Sequence, residues 1–153
     1  MKNSVMISIP GDPRGKGRPR FARRGRKTVT YTDDKTAAYE NLVGLYATQA
    51  MKSSPPILGP LKLTIYAYMP IPASWSGKKK TAALAREIYP TGLPDIDNIA
   101  KAVLDGLNRI AFADDKQVVT LAMGKRYSDQ PGLVVWVNQE TYENGEIHGS
   151  INI

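Results

Sequence analysis

Between Leu61 and Met69 the chain alternates without interruption, with Leu61, Leu63, Ile65, Ala67 and Met69 set against Lys62, Thr64, Tyr66 and Tyr68. A period of two over that length describes a strand with one face buried and the other not. Such a strand needs a second layer over its apolar side. Two segments can supply it. After Thr32, Asp33 or Asp34, any of which can cap a first turn, Tyr39, Val43, Tyr46 and Ala50 recur at helical spacing with Leu42 and Leu45 beside them. Pro55-Pro56 and Gly59-Pro60 end that helix. Further on, Ile96, Ile99, Val103, Leu107 and Ile110 mark a second amphipathic helix of about four turns.

Val5–Ile9, Thr28–Tyr31, Val118–Met123 and Leu133–Val137 read as further strands, and Lys78–Glu87 as a short helix. The expected fold class is α+β: a single domain over residues 1–153, with a mixed β-sheet packed by two main helices. A basic arm or loop is expected at 10–27, where glycine and proline oppose regular structure, and a polar, weakly patterned tail at 138–153.

With 153 residues the chain can bury one core without cross-links. It has no cysteine, which removes disulfides and thiolate metal sites and makes a reducing cytoplasmic compartment the expectation. No apolar run approaches the ~20 residues of a membrane span, and none near the start suits a signal peptide.

The net charge of +7 is concentrated at one end. From Met1 to Lys27 there are nine Lys or Arg against one acid, Asp12, so the rest of the chain carries about −1. Arg14, Lys16, Arg18, Arg20, Arg23 and Arg24 can neutralise successive phosphates without reading base sequence, which makes them the expected DNA contacts. Phe21, among them, is either a stacking surface for an unpaired base or a packing anchor. Lys78-Lys79-Lys80 either extend this surface or form a solvated face. His148 has no evident role, and Trp75 and Trp136 read as packing residues.

Inside this basic protein lies PDIDNIAKAVLDGLNRIAFADD, from Pro94 to Asp115. Asp95 and Asp97 open the second helix, where one carboxylate is explained by capping and a second less easily. Lys101 follows Asp97 at i+4, the spacing of an ordinary helical ion pair. Asp105 is expected to be structural, pairing with Lys101 or capping a neighbour, and Asn98 either orients the acids or is simply exposed. Asp114 and Asp115 sit at an element edge, where a turn needs one Asp at most. If the chain returns over one helix, the two acidic pairs converge. Oxygen ligands without Cys or His suit Mg²⁺ or Mn²⁺, and the chemistry implied is phosphodiester hydrolysis.

PDIDNIAKAVLDGL with FADDKQV, and GKGRPRF in the arm, resemble the signature of the RusA family of Holliday junction resolvases, over most of the chain. Leu93 stands where that family often has a basic residue. The resemblance implies a Mg²⁺-dependent endonuclease of phage or prophage origin, a homodimer cutting branched DNA at four-way junctions by paired symmetric nicks. It implies Asp95, Asp97 and Asp115 as metal-binding acids and Lys101 as the catalytic lysine, with Asp114 either a ligand or a turn residue. Two other readings compete: a non-catalytic junction-binding module, and a metal-dependent nuclease for flaps or forks.

Overall fold

The computed structural model describes residues 2–17, 20–31, 34–143 and 146–147. Its centre is a four-stranded mixed sheet in the order β1 (Ser4–Pro10), β6 (Gly132–Gln139), β4 (Leu61–Pro70), β5 (Val118–Ser128). β4 runs parallel to β5, while the other neighbours are antiparallel. The alternation read from the sequence is the observed one: every second residue of β4 from Leu61 to Met69 is buried, and the residues between are half-buried. Val5, Ile7 and Ile9 of β1 and Leu133, Val135 and Val137 of β6 continue that apolar face. Each such Leu or Ile contributes about 1.5–3 kcal/mol by leaving water.

The helices α1 (Asp34–Met51) and α3 (Ile96–Leu107) cover this face. In α1 the buried stripe is Tyr39, Val43, Ala47 and Met51, while Leu45 is 53% exposed. The two helices touch at Gly44 and Gly106. A Cβ on Gly106 would stand 2.7 Å from Val43 Cβ and 2.9 Å from Glu40 O, so only glycine allows this approach. α3 ends at Leu107, one turn short of Ile110. Ile110 and Ala111 donate their N–H groups back to Leu107 O, and the tightened turn carries Ala111 and Phe112 into the core.

The other elements are α2 (Gly77–Leu84), a 3₁₀ turn at Asp115–Gln117, and the short pair β7 (Tyr142–Glu143) and β8 (Glu146–Ile147). The arm departs from the expectation of an irregular loop. Arg20–Arg24 forms β2, paired antiparallel with β3 (Lys27–Tyr31), and the chain turns through Gly25 at φ +63°. A two-residue connection with glycine in the left-handed region suits such a hairpin, and here the positive charge rides on regular structure. Arg18, His148, Thr32 and Asp33 lie outside the described residues.

α3 crosses back over the sheet between the parallel strands β4 and β5, which fixes the direction of everything around it. Its N-terminus lies level with the C-terminal half of β5, where Lys125 Nζ donates to Gly92 O at 2.7 Å and to Pro94 O at 3.0 Å. Its C-terminus lies at the opposite end, beside the entry to β4, where Ile57 N donates to Ala111 O at 2.8 Å.

Candidate active site

Asp95 is the N-cap residue of α3, with extended backbone, but its side chain makes no capping hydrogen bond. The explanation that sequence alone offers for an Asp here therefore does not account for its carboxylate, which is exposed beside the positive end of the helix dipole. Asp97 lies in the first turn and is also exposed. Lys101 Nζ stands 4.0 Å from Asp97 Oδ2, an open i,i+4 pair with both side chains more than 60% exposed. Such a pair adds little stability. Asp95, Asp97 and Lys101 thus share one accessible helix end.

The basic loop is seated directly against this end. Lys16 N donates to Asn98 O at 2.9 Å, and Gly17 N donates to Thr36 Oγ1 of α1 at 2.9 Å. Gly15 lies so close that a Cβ would stand 2.9 Å from Asn98 Cβ and 3.0 Å from Pro94 Cβ. Between the loop, α1 and the approach to α3 is a hollow of about 450 Å³, lined by Arg14, Lys35, Met69 and Leu93 among others. Arg14 and Lys35 bring two cations to within one hollow of the acids. Leu93, 83% exposed, is the most exposed large apolar side chain of the described residues.

Lys16 has a different place from the one expected of a DNA contact. Its ammonium pairs with Asp105 and stands 3.5 Å from Glu40 Oε1. The hydrogen bond to Asp105, foremost, raises the Lys16 pKa above the ordinary lysine value. Asp105 thus pairs with Lys16 rather than with Lys101. Arg14, Arg23 and Arg24 remain exposed, and Arg20 lies on β2 beside them. Phe21 is 70% exposed on β2, so it does not anchor the arm by packing. Trp75 packs edge-on against Tyr127 at 5.2 Å, with Lys79 Nζ 3.9 Å from its ring centre, whereas Trp136 meets Tyr66 edge-on at 6.0 Å on the sheet face away from α1 and α3.

Asp114 and Asp115 do not join Asp95 and Asp97. They lie past the other end of α3, a helix of 12 residues and so about 18 Å long. Among the described residues no three His, Asp or Glu side chains approach closely enough to hold one metal ion. The return that was expected to bring the acids together instead separates them, because β5 starts beside Leu61, at the end of β4 remote from α3's N-terminus.

Asp114 is committed to structure. It caps the 3₁₀ turn by accepting from Lys116 N at 3.0 Å, and that bond is the chief reason its carboxyl is held below the usual carboxylate range. Gln117 completes the cap and ties down the whole corner. Its Oε1 accepts from Ala113 N and Asp114 N, and its Nε2 donates to Ile57 O at 3.1 Å and Gly59 O at 2.9 Å. Asp115, beside it, is exposed and makes no side-chain ion pair among the described residues. Sequence reasoning passed over Gln117, Lys35 and Lys125. Their partners are backbone groups and loops distant in sequence, so only the closing of the hydrophobic core brings them into place.

Two carboxylates at one helix end meet the needs of a hard divalent ion that keeps several waters and takes the substrate phosphate as a further ligand. The residues present therefore fit Mg²⁺ or Mn²⁺ at Asp95 and Asp97. No helix of the described residues is long and apolar enough to cross a membrane. The chain is 34% identical over 137 residues to a Bacillus subtilis (strain 168) protein described as "Uncharacterized protein YqaN", an alignment covering 88% of this chain and 96% of that protein. Residues 10–138, which hold both acidic pairs, the hairpin, β4, β5 and all of β6 but its last residue, match the family model described as Endodeoxyribonuclease RusA. The chain belongs to the RusA family of endodeoxyribonucleases, metal-dependent hydrolases that act on branched DNA at Holliday junctions.

Proposed function

We propose that this protein is a Mg²⁺-dependent endonuclease that works as a homodimer and resolves four-way DNA junctions by paired symmetric nicks. The observation that carries the reading is Asp95. Its carboxylate stands at a helix N-terminus and caps nothing, beside a second exposed carboxylate and a basic loop. A carboxylate with no structural task, in a chain of net positive charge, is a ligand position.

When bound, the ion supplies Lewis-acid polarisation of the scissile phosphate and a water made acidic enough to attack near neutral pH. Asp95 and Asp97 hold the ion. Lys101, 4.0 Å from Asp97, orients that carboxylate and presents a positive charge to the oxygen that leaves phosphorus. Arg14 and Lys35 in the adjoining hollow take the flanking phosphates. The exposed hairpin cations Arg23 and Arg24, with Arg18 and Arg20, extend the contact along the arms of the junction. Hydrolysis of one phosphodiester nicks one strand, so resolution needs two such sites acting on a two-fold symmetric substrate.

The test is a synthetic four-way junction incubated with and without Mg²⁺, and the variant Asp97→Asn. The expected result is symmetric nicks only with the metal, and an Asp97→Asn protein that binds the junction as well as or better than wild type without cutting it, since one repulsive charge is gone. Cleavage of flaps or forks in preference to junctions would favour the replication-structure nuclease. Junction binding with no metal-dependent cleavage by wild type would favour a silent binding module.

A further inference from the structure

We infer that the sheet carries a second nucleic-acid site on the face away from α1 and α3, where single-stranded DNA docks with its bases stacked on Trp136, Tyr66 and Tyr89. This site is separate from the acids of α3, and it stands apart from the nuclease reading.

α1 and α3 cover one face of the sheet. On the other face β4 presents Tyr66 and Tyr68, and the strand register brings Trp136 of β6 and Arg126 of β5 to the same side. The Trp136 and Tyr66 rings lie 6.0 Å apart. The Arg126 guanidinium stands 5.9 Å from the Tyr66 ring centre and 5.1 Å from that of Tyr89, a residue 54% exposed in the approach to α3. Four planar groups thus follow one another across three strands and the loop beside them. Gly124 sets the tilt of the middle one. A Cβ there would stand 3.2 Å from Tyr66 Cε1 and 3.4 Å from Cδ1, so the missing side chain lets the ring lean over β5 and turn its face outward. Arg126 is held in place by donating from Nη1 to Lys125 O at 2.8 Å.

Aromatic faces with a guanidinium among them suit planar, anionic ligands, because the rings stack on bases and the cation meets both π-faces and phosphate. Charge points the same way. The outward residues of the four strands include Lys62 and Arg126, and none of them is Asp or Glu. A duplex cannot use such a surface, since its bases already stack on one another. Unpaired nucleotides can, and four-stranded sheets with aromatic residues on an open face bind them in this way. Beside Trp136 the face deepens into a hollow of about 560 Å³, which Lys62, Asn138 and Glu140 help to line. Glu140 Oε2 is buried and has no hydrogen-bond partner among the described residues. It is an acceptor for an N–H group of a base seated against Trp136, with Lys62 to offset its charge. The basic arm neutralises the phosphates of any strand, whereas this face requires bases that are not stacked on neighbours.

The fluorescence of Trp136 tests the idea. The chain has two tryptophans, so Trp75→Phe leaves Trp136 as the single reporter. Titration with a short oligo-dT in the absence of Mg²⁺ should quench its emission saturably, with a log-log salt slope of about −0.7 for each phosphate contact. A duplex of equal length should quench little. In the same background Tyr66→Phe should bind as tightly as its parent, and Tyr66→Leu should bind roughly tenfold more weakly, because leucine fills the space over Gly124 without offering a π-face. Tyr89→Ala, a change at an exposed position where folding is not at stake, should weaken binding severalfold. Emission unchanged by oligo-dT overturns the proposal. So does equal quenching by the duplex, or a Tyr66→Leu protein that binds as tightly as Tyr66→Phe. A shift from dimer to monomer by light scattering in Tyr66→Leu would mean that a second copy covers this face, and would overturn it as well. No metal is present and nothing is cut, so these outcomes hold whether the nuclease reading stands or fails.

Discussion

Lys16, in the most basic stretch of the chain, turns its ammonium inward to Asp105 near the end of α3, with Glu40 of α1 3.5 Å away. One member of the arm's charge therefore fastens the arm to the helix layer instead of facing solvent. The two carboxylates outnumber the lysine, so removing it leaves like charges together. Lys16→Met should lower stability by about 1 kcal/mol, read as a fall in Tm, and should change the salt dependence of DNA binding little. The folded-state pKa of Lys16 is raised. Its contribution is therefore complete below the ordinary lysine value and is lost as pH rises through the higher folded value. The gap in Tm between wild type and Lys16→Met should be constant at neutral pH and narrow only in strong alkali.

The other cations of the arm behave oppositely. Replacing Arg18, Arg20, Arg23 and Arg24 together by Gln should leave Tm almost unchanged and flatten the log-log salt dependence of junction binding by roughly 0.9 for each phosphate that is no longer neutralised. An unchanged slope would place the DNA elsewhere on the surface.

Neighbouring acids at the far corner should separate just as cleanly. Asp114 needs only an acceptor oxygen for Lys116 N, so Asp114→Asn keeps the cap and should leave cleavage within severalfold of wild type. Asp115, the metal-binding acid that the RusA resemblance implies, makes no such contact among the described residues, and Asp115→Asn should keep the fold and lose cutting. Because the Asp114 carboxyl is held below its unfolded value, the stability it adds is present above that value and is lost as pH falls through the lower folded one. Wild type and Asp114→Asn should therefore converge in Tm under acid conditions. Equal loss of activity in the two variants would mean that both carboxylates act in the chemistry.

Much of this architecture is legible in the residues, and the parts that are not have a common cause. The strand at Leu61–Met69 is fixed by its own period, and the end of the first helix by Pro55-Pro56. The acids of α3 and the lysine one turn on are fixed by helical spacing. Of the hairpin at Arg20–Tyr31 the second strand is legible at Thr28–Tyr31, while β2 is hidden, because Phe21, Arg23 and Arg24 are all exposed and show no period-two pattern, which leaves only Gly25 as a clue. The pairing of Lys16 with Asp105 spans 89 positions and depends on where the arm is seated, which no local pattern carries. The expected convergence of the acids failed on direction. A helix between parallel strands returns the chain to the end it started from, so whatever follows the helix lies far from whatever precedes it.

Gly15 tests whether the seating of the arm matters to the chemistry. Its α-carbon rests on Pro94 and Asn98, the residues on either side of the Asp95–Asp97 pair, and the next residue donates its N–H to Asn98 O. Neither contact is with the tip of a flexible side chain. Pro94 is held in its ring, and the Cβ of Asn98 moves only if α3 moves with it. Gly15→Ala must therefore push the loop off the helix end or tilt the first turn that carries Asp97. Either displacement is a few tenths of an ångström to about 1 Å at the acids, which is enough to cost on the order of ten- to a hundredfold in cleavage rate. Because the loop lies at the surface, the loss of Tm should be small. Gly92→Ala is the matched control, since a Cβ there meets nothing within 4 Å and lies on the same approach to α3. A Gly15→Ala protein that cuts as fast as Gly92→Ala would show that the arm binds DNA without helping to place the catalytic acids.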